Sequence, residues 1–144
     1  MEQKNMIALM SRITELTNRM FIDELKAHDI QGIVPSHGGI MMRLFSGKQY
    51  TMQEMAAAIH RTKPTVTVLV GKLEAQGYVR KEKSAQDSRV TFLQITEKGK
   101  ALEPAFQEIS AKVNALVYQG LSADEAQQMT GKLLQMLKCL AGEA

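Results

Sequence analysis

The residues able to do chemistry gather in the middle of the chain. Between Arg61 and Arg89 lie seven basic residues (Arg61, Lys63, Lys72, Arg80, Lys81, Lys83 and Arg89) and three acidic ones (Glu74, Glu82 and Asp87). This segment is +4, while the whole chain is only +3. A basic middle on a near-neutral body is the footprint of a nucleic-acid surface, the alternative being a solvated charged face. Two groups stand out. In the first, Arg61, Thr62, Lys63, Thr65, Thr67, Val68 and Lys72 combine cations for phosphates, hydroxyls for bases or phosphates, and a valine suited to a thymine methyl. In the second, Lys83, Ser88 and Arg89 bring two more cations, and Arg89 suits a narrow A·T-rich minor groove. Asp87, two residues before Arg89, is spaced to orient its guanidinium by a charge-assisted bond; the alternative is an ordinary turn residue.

The first group needs a helix. Thr62 is a cap, Pro64 falls where a first-turn proline is tolerated, and Gly77 is a stop, so a helix is expected to about Gln76. Val66, Leu69, Val70 and Leu73 fall at i, i+3, i+4 and i+7, one buried stripe that leaves Lys63, Thr65, Thr67, Val68 and Lys72 for other faces. Ahead of it, Thr51-Met52-Gln53-Glu54 reads as a capping box opening a short helix through Ile59. The second group needs a hairpin. Tyr78 to Lys83 and Val90 to Ile95 are its strands and Ser84 to Arg89 its polar tip, with Val90, Phe92 and Gln94 on one side and Thr91, Leu93 and Ile95 on the other. Thr96 and Glu97 then start a further helix. Two short helices joined at His60-Arg61 and followed by a hairpin read as a winged helix-turn-helix.

The flanks are helical and apolar. Met6, Leu9, Met10, Ile13, Leu16, Met20 and Leu25 predict a long helix over about Lys4 to Ala27, broken by Gln31 to Pro35. Ser36 is expected to cap a second helix carrying Ile40, Met41, Leu44 and Phe45 and stopping near Ser46-Gly47. Pro104, some eight residues into the helix from Thr96, is expected to bend it around Ala101 to Pro104 and let it continue to about Tyr118. Ser122 and Glu125 form a capping box for the last helix. Leu116, Val117, Leu121, Met129, Leu133, Leu134, Met136, Leu137 and Leu140 give the C-terminal part more apolar surface than a small lobe needs. The alternative is packing within one chain.

The 144 residues suit a single domain. No apolar run approaches the roughly 20 residues that cross a bilayer, and the first residues lack a signal-peptide core, so no membrane role and a cytoplasmic location are expected. Cys139 stands alone, which excludes an internal disulfide, and a buried, inert thiol is expected. The ten methionines, mostly at helical spacing, are expected in the core, with Met41 and Met42 also suited to lining an adaptable pocket. His28, His37 and His60 lack metal-ligand spacing, so neither a metal nor any other cofactor is expected. No nucleophile–base pair, paired carboxylates or phosphate loop occurs at a usable spacing, so an enzyme is not expected.

Several of these stretches match a family pattern. Asp87-x-Arg89, a strand, then Thr96-x-x-Gly99 resembles the wing signature of the MarR family of transcriptional regulators. Thr65-Val66-Thr67, Leu73-Glu74, Gly77-Tyr78-Val79 and Gly120 to Glu125 are similar to family runs in the same order. Val68 and Lys81 depart from it, standing where Arg is common. The resemblance implies a mainly α fold with a small β-hairpin wing. The chain, 1–144, would be a single MarR-type domain with a winged helix-turn-helix lobe over about 36–98. N- and C-terminal dimerisation helices would occupy about 4–30 and 104–141. It further implies a homodimeric regulator, a repressor on palindromic double-stranded DNA released by a small aromatic or phenolic effector. Family thiol sensors carry their reactive cysteine near the N-terminus, where this chain has none. The competing reading is a winged-helix protein-interaction module without DNA binding.

Overall fold

The computed structural model describes residues 5–142, so Lys4, the expected start of the first helix, lies outside the described residues. Helix α1 (Met6–Ala27) is capped by Asn5, whose Oδ1 accepts from the Ile7 and Ala8 amides. After the break come α2 (Gly38–Leu44), the two-residue strand β1 (Tyr50–Thr51), α3 (Met52–Ala58) and α4 (Lys63–Ala75). Strands β2 (Val79–Lys83) and β3 (Thr91–Ile95), then α5 (Glu97–Lys100), α6 (Glu103–Val117) and α7 (Ala123–Ala141), complete the chain. It divides into two compact units between Ser110 and Ala111.

The first unit has one core. Ile40, Met41 and Leu44 of α2, Met55 of α3, Val66, Val70 and Leu73 of α4 and Leu93 of β3 are fully enclosed. Phe106 of α6 meets the edges of Phe21 and Phe45 at 5.6 and 5.4 Å between ring centres, which ties α1 and α2 to α6. In the second unit no residue of α7 is buried, and Met129, Leu133, Leu134, Leu137 and Leu140 are exposed. Ser122 and Glu125 close the expected capping box, with bonds of 3.0 and 3.1 Å.

Five expectations need correction. The hairpin has a third strand: β1 pairs with β3 (Tyr50 opposite Leu93, Thr51 opposite Phe92), giving the order β1-β3-β2. Ser36 is not the cap of α2. Pro35–His37 forms a 3-10 turn in which His37 Nδ1 accepts from the Val34 amide at 3.0 Å. Pro104 does not bend a continuous helix; α5 ends at Lys100, Ala101-Leu102 turn, and α6 restarts with Pro104 at its second residue, where no amide is needed. Cys139 is exposed rather than buried, on a helix with no buried residue. The methionines split: Met41 and Met55 are enclosed, whereas Met6, Met42 and Met129 are exposed.

His37 is fully buried, and its Nε2 has no hydrogen-bond partner among the described residues. Burial pushes its pKa down, against the Leu69 carbonyl, which favours the charged form, while the nearby Lys72 charge lowers it further. Protonation would also convert Nδ1 from acceptor to donor and set it against the Val34 amide. With the folded pKa below the unfolded one, stability is retained above about pH 6.5 and lost as pH falls from there towards the folded value. Relative to His37→Gln, the wild-type urea midpoint should therefore drop between pH 7.5 and 5.5. Parallel midpoints would show that this ring does not titrate on unfolding.

Candidate nucleic-acid interface

Helix α4 starts where the sequence places it. Thr62 Oγ1 accepts from the Thr65 amide at 3.4 Å and lies 2.9 Å from the Thr65 hydroxyl, and Pro64 sits in the first turn. Val66, Leu69, Val70 and Leu73 are buried, which turns the rest of the helix outward. At 100° per residue Val68 falls near the middle of the outward face, flanked on one side by Thr65 and Lys72 and on the other by Lys63 and Thr67. Val68 is 61 % exposed. Thr67 donates its hydroxyl to the Lys63 carbonyl at 3.0 Å, so it is left with acceptor lone pairs and a methyl group for any partner. Arg61 is exposed in the connection from α3. Lys72 also borders a hollow of about 390 Å³ lined by Ile33, Val34 and His37 among others.

The hairpin tip is built from local bonds. Ser84 Oγ accepts from the amides of Gln86 and Asp87, and the Val90 amide donates to the Asp87 carbonyl at 2.9 Å. Asp87 Oδ1 accepts from the Arg89 amide and from Nε, each at 3.0 Å, while Oδ2 accepts from Nη2 at 3.1 Å. The Arg89 bonds hold the Asp87 carboxyl below the usual carboxylate range. The Arg89 side chain is nevertheless 89 % exposed, so a cation is held in place without being covered. Lys83 and Ser88 are exposed beside it.

Sequence reasoning missed three residues that hold these elements. Arg43 of α2 donates to the Gly39 and Ala58 carbonyls at 3.1 and 2.8 Å, which pins the end of α3. Lys81 pairs with Glu74 at 3.7 Å, joining β2 to α4. Lys98 donates to the Gln76 carbonyl at 2.7 Å, at the exit of α4. Arg43 and Lys98 reach backbone carbonyls, and Lys81 meets Glu74 across a change from helix to strand, so no spacing announces them. Gly71 carried a local signal, an isolated glycine inside a helix. A Cβ there would meet nothing within 4 Å, so the packing of this chain does not require it. Among the described residues no group of three or more His, Cys, Asp or Glu is placed to hold a metal, and no helix is long and apolar enough to cross a membrane.

Comparison with known proteins gives a consistent picture. A sequence model of the MarR family matches residues 41–90, from α2 through the hairpin tip. The Transcriptional repressor MprA of Escherichia coli K12 is 28% identical over 137 residues, covering 90% of this chain and 72% of that protein. The uncharacterised HTH-type transcriptional regulator YkoM of Bacillus subtilis is 24% identical over 125 residues, covering 87% and 79%. Among solved structures, S. aureus MepR in complex with DNA superposes with a TM-score of 0.80 at 27% identity, covering 95% of this chain and 99% of that one. The regulator SlyA, at 19% identity, shares the fold with a TM-score of 0.79 over 96% of each chain.

Proposed function

Because this chain belongs to the MarR family of winged helix-turn-helix transcriptional regulators, we propose that it binds double-stranded DNA sequence-specifically as a homodimer and acts as a repressor. One observation carries the reading: α4 buries a single apolar stripe and turns Lys63, Thr65, Thr67, Val68 and Lys72 outward, near a wing that presents an ordered, exposed arginine. A helix with these side chains fits the major groove, its cations meeting phosphate and its threonines and valine meeting base edges. Arg61, Thr62, Lys83 and Ser88 take supporting phosphate contacts, and Arg89, oriented by Asp87, enters the minor groove.

The dimer follows from apolar surface. Met6, Ile7, Leu9, Ile13 and Leu16 of α1 are exposed, as are Leu116 and Val117 of α6 and the apolar residues of α7. Surface of that extent on an isolated chain marks an interface. A two-fold dimer requires an inverted-repeat site with half-sites about 34 Å apart, one helical turn. A small aromatic or phenolic acid that bound one lobe spacing better than the other would release the DNA by population shift. Selection of bound duplexes from random-sequence DNA tests the reading. An enriched inverted repeat with that spacing is expected. Failure to enrich any duplex would favour a winged-helix module that contacts protein instead.

A further inference from the structure

We propose that Lys98 is a positioning residue for DNA binding: it closes a clamp that fixes the carboxyl end of α4, the helix expected in the major groove. The proposal rests on the DNA-binding reading, but the clamp itself is a matter of geometry. After Ala75 the chain turns through Gln76, Gly77 and Tyr78 into β2. All three carbonyls are taken by residues at the start of α5. Gln76 O accepts from Lys98 Nζ at 2.7 Å, Gly77 O from Thr96 Oγ1 at 2.6 Å, and Tyr78 O from the Thr96 amide at 3.1 Å. The amides of the same turn point back into α4, that of Gly77 to Glu74 O and that of Tyr78 to Leu73 O, both at 3.0 Å. The turn is thus bonded on both sides.

Lys98 adds two things a neutral side chain would not. Its ammonium sits at the negative end of the α4 dipole, where the last carbonyls lack partners within the helix. It also stands 5.0 Å from the centre of the Tyr78 ring, whose hydroxyl donates to Gln31 O at 3.3 Å in the α1–α2 connection. Gly77, at φ +80°, turns the chain beneath the lysine stem. Lys98 therefore links α5, the exit of α4 and the α1–α2 connection through one cation.

The ammonium is already engaged by protein, and it lies at the opposite end of α4 from Lys63, Thr65 and Thr67. It acts on DNA through the orientation of α4. At 1.5 Å rise per residue the 13-residue helix places its amino end about 20 Å from the clamp, so a tilt of about 5° moves that end by roughly 1.7 Å. A displacement of that size breaks base contacts and leaves diffuse phosphate attraction nearly intact.

The test compares wild type with Lys98→Met, which keeps an unbranched stem, and with Lys98→Arg, which keeps the charge. Amide hydrogen exchange at Gly77 and Tyr78, without DNA, should quicken about fivefold in Lys98→Met. Affinity for the selected duplex should fall by about the same factor or more, with scrambled-duplex affinity and the salt slope unchanged and most of the loss restored in Lys98→Arg. Unchanged exchange would overturn the clamp. Equal losses on both duplexes, with the salt slope reduced by about one unit per lobe, would make Lys98 a phosphate contact instead. A wild-type chain that bound no duplex would overturn the DNA-binding reading, and exchange alone would then decide whether the clamp exists.

Discussion

Gly99→Ala should destabilise the DNA-binding lobe by about 3 kcal/mol, the upper end of the usual cost of overpacking. A Cβ at this position would lie 2.2 Å from the Tyr78 carbonyl oxygen and 2.8 Å from Ile95 Cγ1. The carbonyl cannot step aside cheaply, because it accepts from the Thr96 amide and its residue is bonded to Leu73 O. Either α5 retreats and loses its contacts with the exit of α4, or the β2–β3 register shifts. Gly71→Ala is the control: also helical, it has open space around its Cβ, so it should stabilise the chain by up to about 1 kcal/mol. Denaturant midpoints for both variants check the pair. A Gly99→Ala midpoint equal to wild type would mean that the α5–β2 approach is looser than described.

Arg89→Ala should weaken binding to every duplex and reduce the magnitude of the salt slope by about one unit per lobe, one displaced counterion each. Asp87 holds the guanidinium in place while leaving it exposed, so little ordering entropy remains to be lost on binding. Val68→Ala should do the reverse. Val68 carries no charge and lies near the middle of the outward face of α4, so the salt slope should hold while preference at one half-site position changes by roughly 1–3 kcal/mol. Affinities on a matched and a scrambled duplex across a salt series separate the two. If Arg89→Ala altered base preference and Val68→Ala altered only the slope, the roles assigned to wing and helix would be reversed.

What was legible in the sequence was local. The bounds of α4 followed from Thr62, Pro64, the Val66-Leu69-Val70-Leu73 stripe and Gly77, each acting within a few residues of the helix end it sets. The start of α7 followed from Ser122 and Glu125, and the Asp87–Arg89 bond from a spacing of two. What was missed depends on distant partners. Strand β1 is two residues long and exists because β3, some forty residues later, offers Phe92 and Leu93 as partners. Ser36 has the chemistry of a cap, but Pro35 fixes a 3-10 turn and the His37 ring takes the Val34 amide that such a turn leaves over. Pro104 has the chemistry to bend a helix, since it lacks an amide for the ladder. The chain answers with a turn and a new start rather than a bend. Lys98 carries no local signal, because only the fold brings Gln76 and Tyr78 to it. Cys139 is exposed because no residue of α7 is buried, which helical spacing alone does not reveal.

Two copies of this chain should bind one duplex through paired winged lobes. Titrating the selected duplex with wild-type protein over a salt series, while reading stoichiometry by sedimentation, tests it most directly. Two chains per duplex are expected, with log affinity falling linearly against log salt at a slope of about −3.6 or steeper, since each lobe brings at least two counterion-displacing cations, Lys63 at phosphate and Arg89 in the minor groove. A stable monomer that bound one half-site tightly, or an affinity indifferent to salt, would contradict it.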